Sequence, residues 1–322
     1  MSILIYAESS SEGKFKKVAF ELASYAKKVA ESLNTTVTAV TINNSNVAEL
    51  SKYGVDKVLK ISNDKLNNFT AKAFADVVKQ AATKENAKLV LLSSTTDSLY
   101  MAPLVAISLN AGFASNVVGL PVNMAPFQVK RNAFSNKAFA ITELETEVKV
   151  LSLAKNSYGL VENNSSLTEE DFAPSLNDAD FGVKVENVEK TTGKVTIADA
   201  EVVVSGGRGL KGPENWGMLE ELAAVLGAAT ACSKPVSDLG WRPHSEHVGQ
   251  TGKPVATNLY IAVGISGAIQ HIAGINSSKV KVVINSDPEA PFFKVADYGI
   301  VGDAFEIVPK LTQKLREFKA NS

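Results

Sequence analysis

A glycine-rich turn in the second half of the chain has the residue types that bind phosphate groups. Residues 201–205 form a short apolar run, and the turn that follows contains the pattern G-x-G-x-x-G at Gly207, Gly209 and Gly212. Between a strand and a helix, such a turn lets backbone N–H groups and the helix dipole approach an anion. Alone, the pattern does not specify which anion is bound.

Two common nucleotide sites do not fit the neighbouring residues. A nicotinamide dinucleotide site would place an acidic residue about 20 positions further on, but the next predicted strand ends in Ser233 and Lys234. A hydroxyl and a cation suit an anionic ligand rather than a ribose. The segment from His247 to Lys253 is similar to a P-loop, but His247 replaces the first glycine and Pro254 follows the lysine. An NTPase loop is therefore excluded.

Polar residues follow several predicted strands in this region. Residues 259–265 and 280–285 read as buried strands, residues 266–271 as the start of a helix, and a closing helix follows residue 303. Because the carboxyl ends of parallel strands form one edge where ligands bind, we expect one polar crevice there. Its predicted members are Arg208, Ser233, Lys234, Ser266, Asn285 and Asp303.

Alternating strands and helices also account for the first half of the chain. A helix with apolar residues at three- and four-residue steps covers residues 18–33, between two apolar strands. From residue 127 the pattern changes to short alternating runs, which we interpret as antiparallel strands. These runs are residues 127–131, 138–142 and 147–152.

The sequence predicts an α/β protein of two domains, each with a mostly parallel sheet flanked by helices. We place the domains at residues 1–190 and 191–322. The first includes a polar linker from about residue 158, rich in Asn, Ser, Thr and Glu. A small apolar island at residues 181–185 favours an extended strand lying on a neighbour rather than a disordered linker.

Composition narrows the class of protein. The chain has 322 residues, 45% of them hydrophobic, with a net charge of −1 and a pI near 6.4, so neither nucleic acid nor an anionic membrane is an expected partner. The single cysteine, Cys232, excludes an internal disulfide, and no Cys/His spacing indicates a metal site. No apolar run reaches the roughly 18 residues of a membrane span. We expect a cytoplasmic protein without membrane insertion.

Five motifs in this region closely resemble the alpha subunit of electron transfer flavoproteins. The N-terminal half resembles that family more loosely, through Ser94-Thr-Thr96 and residues 127–140. The five motifs are Gly207-Arg-Gly-Leu-Lys211, Val248-Gly-Gln-Thr-Gly-Lys253, Gly264-Ile-Ser-Gly-Ala-Ile-Gln-His271, Ile284-Asn-Ser-Asp-Pro-Glu-Ala-Pro291 and Ala296-Asp-Tyr-Gly-Ile-Val301. The resemblance implies an N-terminal domain like the adenine nucleotide hydrolases and a C-terminal Rossmann-like domain that binds FAD.

The resemblance also implies which residues contact FAD, and it assigns no catalytic residue and no metal ligand. The implied contacts are Arg208, Ser233, Lys234, Val248, Gly249, Gln250, Thr251, Ser266, Gly267, Ala268, Ile269, Gln270, His271, Asn285, Asp303 and Ala304.

Individual roles follow from the same resemblance. Arg208 would lie near the flavin or pyrophosphate, Thr251 would donate its hydroxyl toward the flavin N5 region, and His271 would face the pyrimidine edge. Ser266 would cap the helix that carries His271. Arg208, Thr251 and His271 each have a simpler alternative, which is an exposed charge, a turn hydroxyl and a core histidine, respectively.

Two further assignments, and two histidines, have weaker support. Asn285 and Asp303 would meet the ribityl or adenosine end of FAD, or act only as a turn former and a helix cap. His244 and His247 are interpreted as surface or loop residues.

Lys234 departs from the family, whose members usually carry arginine directly after this serine, over the isoalloxazine ring. Lysine keeps the charge but loses the planar guanidinium that stacks on a ring. We expect Lys234 to stabilise the one-electron-reduced anionic flavin less than arginine would.

The function implied by the resemblance is electron carriage. The chain would pair with a beta subunit as a heterodimer and accept electrons from flavin dehydrogenases, such as the acyl-CoA dehydrogenases of fatty acid beta-oxidation. It would pass them to a quinone-reducing or other membrane oxidoreductase, without substrate chemistry of its own. The alternatives are a subunit of an electron-bifurcating, NADH-linked flavoprotein complex, and a module that binds AMP or ATP.

Overall fold

The computed structural model describes residues 2–10, 13–44, 46–134, 136–188, 196–197 and 200–321. The chain forms two compact units, one of residues Met1–Ala133 and Ala138–Val188 and the other of Phe134–Lys137 and Glu189–Ser322. The predicted boundary between residues 190 and 191 lies outside the described residues. The predicted mixed α/β architecture, with a mostly parallel sheet in each part, is confirmed.

The first unit is built on a sheet that runs, in the described residues, in the order β10-β3-β2-β1-β4-β9-β5-β7-β6, with β8 paired to β7. Its helices are α1 (Lys17–Leu33), α2 (Ala71–Lys84) and α3 (Thr96–Ser108). Its strands are β1 (Ser2–Tyr6), β2 (Thr36–Ile42), β3 (Lys57–Ile61), β4 (Leu89–Ser93), β5 (Gly112–Val117), β6 (Asn123–Met124), β7 (Phe127–Ala133), β8 (Ala138–Glu143), β9 (Lys149–Leu153) and β10 (Thr168–Asp171).

Helices cover both faces of this sheet. Ile3 and Ile5 of β1 belong to one apolar core with Leu22 of α1. The alternate residues Leu4 and Tyr6 belong to a second core, with side chains of α2 and α3. Because successive strand residues point to opposite faces, a strand buried on both faces has the continuous apolar sequence that marks β1.

One predicted pairing in this unit is wrong. We expected residues 147–152 to form an antiparallel strand, but β9 runs parallel to both β4 and β5 and lies between them. Between the strands that the structure describes in this unit, the antiparallel pairings are β7–β8, β6–β7 and the short contact of β5 with β7. A short alternating run fits either pairing, because alternation reports which face is buried and not the direction of the neighbour.

The polar segment that we interpreted as a linker returns to the sheet. Its extended part is β10, which pairs in parallel with β3, whereas Phe181 ends a short 3₁₀ helix, Asp178–Phe181. Lys57 Nζ lies 2.7 Å from Glu170, and Lys60 Nζ lies 3.0 Å from Glu169. Hydrogen bonds from Lys57 and then Lys84 lower the pKa of Glu170 to about 2. Opposite charges therefore accompany the backbone pairing of this edge strand.

A buried carboxylate closes the edge of the sheet where β1 and β4 end. Glu8 is only 2% exposed. It pairs with Lys16 at 2.9 Å and accepts hydrogen bonds from Ser98 Oγ, at 3.2 Å, and from Thr95 Oγ1. A buried charge needs such partners to offset its lost hydration.

A second buried carboxylate anchors the chain after β9. Glu21, on α1, accepts the backbone N–H groups of Asn156 at 2.8 Å, Tyr158 at 2.8 Å and Gly159 at 2.9 Å. Charge-assisted hydrogen bonds of this kind are stronger than neutral ones.

The second unit has an all-parallel sheet in the order β12-β11-β13-β14-β15. Chain order reverses between β11 and β13, and the carboxyl ends of the strands at such a switch point form a ligand-binding crevice. The strands are β11 (Val202–Gly206), β12 (Ala229–Cys232), β13 (Leu259–Val263), β14 (Val280–Asn285) and β15 (Tyr298–Val301). The helices are α4 (Gly217–Leu226), α5 (Lys234–Asp238), α6 (Ile269–Ile275) and α7 (Ala304–Ala320).

Among the helices that the structure describes, none combines the length and the apolar character that crossing a membrane requires.

Substitution of Glu21 tests whether this buried acceptor stabilises the first unit. Glu21→Ala leaves three backbone N–H groups without their partner, so the free energy of unfolding should fall by about 2 to 3 kcal/mol. The measurement is the urea midpoint followed by circular dichroism. Glu31→Ala on the same helix removes an exposed pair with Lys28 and an exposed hydrogen bond from Asn163, and it should leave the midpoint nearly unchanged. Equal shifts for the two variants would contradict the anchoring role.

Candidate functional site

A cavity of about 520 Å³ opens at the switch point of the second unit. It lies beyond the carboxyl ends of β11, β12, β13 and β14, where the sequence predicts a crevice. Its lining residues are Arg208, Gly209, Ser233, Lys234, Pro235, His247, Val248, Gly249, Gln250, Thr251, Gly264, Ile265, Ser266, Ala268, Gln270, His271, Asn285 and Asp287.

The floor of the switch point is a crossing of two glycine turns, one after β11 and one after β13. Gly207 N–H donates to Val263 O at 2.9 Å, and Gly209 N–H donates to Gly264 O at 3.1 Å. A Cβ on Gly207 would lie 2.1 Å from Gly264 O, and one on Gly209 would lie 2.6 Å from Gly264 Cα. The two backbones therefore approach too closely for any side chain between them.

This crossing corrects our interpretation of the G-x-G-x-x-G pattern. The N–H group of Gly207 binds the last residue of β13, that of Gly209 binds the turn after β13, and that of Gly212 binds Leu210 O at 2.9 Å. None of these three groups is left for a phosphate. Gly207 and Gly209 serve the close packing of two backbones, which is only one of the roles that glycine has in a dinucleotide-binding turn.

The turn after β13 supplies the anion donors instead. Within the described part of the chain, the backbone N–H groups of Ser266, Gly267, Ala268 and Ile269 donate to no protein atom. Ser266 and Ala268 line the cavity. Consecutive free N–H groups before a helix form a site for negative charge. Ser266 is not the helix cap that we expected, because Ala268 occupies the N-cap position of α6 and no side chain caps it.

His271 is a buried, neutral group at the inner wall of this cavity. Its Nε2 lies 2.9 Å from the hydroxyl of Tyr260, which is fully buried. Burial, followed by the neighbouring His247, lowers the pKa of His271 to about 4. Its Nδ1 is buried and makes no hydrogen bond of regular geometry to a described residue, although the backbone of Val248 partly offsets the lowering of the His271 pKa. A ligand polar atom at the wall would satisfy this nitrogen.

Gln250 and Thr251 lie on an exposed turn that also lines the cavity. The turn is held by Gln250 N–H, which donates to Gln270 O at 2.8 Å, and by Val248 N–H, which donates to Cys232 O at 3.0 Å. Gly249 crosses α6 closely, since a Cβ on Gly274 would lie 2.6 Å from Gly249 Cα. Both side chains are therefore presented by a turn whose backbone is fixed.

Two cations border the cavity. Lys234 forms an exposed ion pair with Asp238, one turn further along α5, at 3.4 Å. Arg208 is exposed, and the described residues give its guanidinium no ion-pair partner. Ser233, beside Lys234, is buried, and its carbonyl accepts the N–H groups of Val236 and Ser237.

Four of the predicted contacts, Gly267, Ile269, Asp303 and Ala304, are absent from the cavity lining. Asp303 caps α7 by accepting Phe305 N–H at 2.9 Å, and Ala304 is the buried first residue of that helix. Asn285 does line the cavity, but its side chain is engaged locally, donating to Ile265 O and accepting from Asp287 N–H.

Six lining residues were not among the predicted contacts: Gly209, Pro235, His247, Gly264, Ile265 and Asp287. His247 differs most from expectation, because we interpreted it as a surface or loop residue and its side chain is only 2% exposed. The sequence did contain a signal for its place in the cavity, because His247 directly precedes Val248, the first residue of one of the five motifs.

Comparison with known proteins places both units in one family. The family model described as the electron transfer flavoprotein FAD-binding domain matches residues 196–276, and that of the electron transfer flavoprotein domain matches residues 3–177. The chain is 36% identical to the electron transfer flavoprotein subunit alpha of Bacillus subtilis over 97% of its own length and 96% of the relative. The chain belongs to the electron transfer flavoprotein alpha-subunit family.

Other alpha-subunit relatives match over similar lengths. The subunit alpha of Thermoanaerobacterium thermosaccharolyticum is 34% identical over 98% of each chain. Protein FixB of Clostridium saccharobutylicum is 33% identical over 98% of this chain and 96% of the relative. The likeness thus extends beyond the motifs to nearly the whole sequence.

The second unit is the FAD-binding domain of this alpha subunit, and the cavity has the chemistry that FAD requires. Free backbone N–H groups and two cations suit its pyrophosphate, and the unpartnered Nδ1 of His271 suits a polar edge of the flavin. The glycine crossing keeps side chains out of the floor. FAD would supply the redox chemistry when bound, and these residues would bind and orient it.

Cys232 lies beneath the cavity floor and is fully buried. Burial raises the pKa of its thiol to about 12, so it remains a neutral thiol. The described residues contain no group of three or more His, Cys, Asp and Glu side chains that could hold a metal ion.

Substitution at the glycine crossing should abolish cofactor retention. Gly264→Ala combines a backbone φ of +64° with a Cβ only 2.9 Å from Gly209 Cα, so FAD affinity should fall by at least about tenfold. The measurement is FAD per chain after purification, from visible absorbance. Gly227→Ala has a similar φ of +65° but nothing within 4 Å of its Cβ. That control should retain FAD, and equal loss in both variants would contradict the role of the crossing.

Proposed function

We propose that this alpha subunit forms a heterodimer with an electron transfer flavoprotein beta subunit and carries electrons on its FAD. It accepts them from flavin dehydrogenases, such as those that oxidise acyl-CoA in fatty acid beta-oxidation, and passes them to a quinone-reducing or other membrane oxidoreductase. The observation that carries the proposal is the open cavity at the switch point of a unit that matches the FAD-binding domain.

The chemistry of the cavity supports carriage rather than substrate turnover. His271 has a pKa of about 4 and a Tyr260 partner, so it is neutral near pH 7. A group with this pKa is poorly suited to accept a proton from an organic substrate at that pH. The remaining polar groups lie where they bind an anion and a flexible cofactor. The protein's contribution is therefore binding, orientation and electrostatic tuning of FAD.

The relatives' names support the heterodimer. Those of Bacillus subtilis and Thermoanaerobacterium thermosaccharolyticum are each named subunit alpha of an electron transfer flavoprotein. A protein named as one subunit functions in an assembly, and the near-complete coverage of both chains extends that expectation to this protein.

Co-expression with a beta subunit tests the proposed function. The purified complex should show an oxidised flavin spectrum, which an acyl-CoA dehydrogenase and its substrate should bleach and a quinone-linked acceptor should restore. A colourless complex that cannot be reconstituted with FAD would contradict the carrier function and favour the AMP or ATP module. Rapid bleaching by NADH alone would favour the electron-bifurcating alternative.

The charge and shape of the side chain at position 234 should influence the midpoint potential at which the flavin accepts its first electron. Lys234→Arg should raise the one-electron midpoint potential of the bound flavin, and Lys234→Gln should lower it, each by an amount on the order of tens of millivolts. Asp238→Asn should also raise it, because Asp238 offsets the lysine charge at 3.4 Å. Spectroelectrochemical titration of the complex measures all three.

Lys279→Gln makes the same charge change at an exposed residue that does not line the cavity. It should shift the potential far less than Lys234→Gln. If the two glutamine variants shifted it equally, the local effect of Lys234 would be refuted.

A further inference from the structure

The roles described above leave the side chain of His247 unused, although it lines the cavity. It follows a short 3₁₀ helix, His244–Glu246, and is only 2% exposed. Its Nδ1 is buried and has no hydrogen-bond partner in the described part of the chain. A buried polar group without a hydrogen-bond partner lowers stability, so its presence at a cofactor site calls for an explanation.

The imidazole of His247 packs inside the turn that carries Gln250 and Thr251. A Cβ on Gly252 would lie 2.8 Å from His247 Nδ1, and one on Gly249 would lie 3.3 Å from His247 Nε2. The turn closes back on the same residue, because Lys253 N–H donates to His247 O at 2.9 Å. The ring therefore fills the space between the two glycines of the turn.

The groups around this imidazole disfavour its charged form. The exposed His244 ring lies 5.2 Å away between centroids, Lys234 of α5 adds a positive charge, and His271 faces it from α6. Asp238 is the opposing negative charge, but it pairs with Lys234. Glu246, the preceding residue, is held by Arg242 at 2.7 Å. Burial first, and then His244 and Lys234, lower the pKa of His247.

We propose that His247 is a positioning residue of the flavin site, and that its neutral ring holds the turn which presents Gln250 and Thr251 to FAD. Protonation would place an unpaired buried cation beside Lys234 and displace the ring from the turn. FAD binding and ring protonation are therefore opposed. The inference rests on the proposed flavin contacts of Gln250 and Thr251.

The sign of the pH dependence follows from this opposition. If FAD binds well only when His247 is neutral, its dissociation constant is constant above the pKa of His247. Below that pKa it rises by up to about tenfold for each pH unit. The measurement therefore runs from about pH 8.5 down to about pH 5, because the pKa of His247 lies below the ordinary histidine value. The His247→Gln variant separates the effect of this ring from the effects of His244 and His271.

The test uses the purified complex of this chain with a beta subunit and measures FAD dissociation and visible circular dichroism of the flavin across that range. His247→Gln should bind FAD within about threefold of wild type at high pH and lose the pH dependence. His247→Ala should bind FAD at least about tenfold more weakly than wild type at high pH, because it leaves the turn unsupported, and it too should lose the pH dependence. His244→Gln should keep the pH dependence and shift it to higher pH, since it removes a neighbour that lowers the pKa of His247.

Each alternative result has a distinct meaning. Wild-type complex that binds FAD with a flat pH profile would overturn this inference alone. So would a His247→Gln complex that kept the wild-type profile. Wild-type complex that binds no FAD at any pH would overturn the proposed function together with the inference.

Discussion

The close contact of two backbones at the end of β11 and β13 is the constraint on which the flavin site depends. Gly207 donates to the last residue of β13 and Gly209 to the turn after it, so the turns brace each other without side chains. The N–H groups of Gly207 and Gly209 are used in this contact, whereas those of residues 266–269 have no protein acceptor among the described residues. The free donors that suit an anion therefore lie on the second turn, which the first turn holds in place.

The sequence predicted the location of the site better than it predicted the hydrogen bonds, strand pairing and burial within the fold. Glycine turns after apolar strands locate a sheet edge, because strand direction and turn position are local properties. Whether the Gly207 N–H is free, whether β9 runs parallel, and whether His247 is buried depend on residues far apart in the chain. Such features arise from tertiary packing, which outweighs local pattern. Ser266 was misjudged as a cap for the same reason.

The two sheets use their switch points in opposite ways. In the first unit, the ends of β1 and β4 are closed by Glu8, whose carboxylate is satisfied by Lys16 and hydroxyl groups. In the second unit, the corresponding edge is open and bordered by Lys234 and Arg208. The same edge of a parallel sheet is therefore closed by a buried carboxylate in the first unit. In the second unit it forms the cofactor cavity.

Binding and tuning of the cofactor fall on different parts of the site. The contact of Gly209 with Gly264 involves only backbone atoms. A side chain of any size at either position would therefore disrupt it. Lys234, by contrast, lies at the rim and is exposed. The flavin potential can therefore be changed by substitutions at Lys234, in the laboratory or in evolution, while the glycine contact at the floor stays the same.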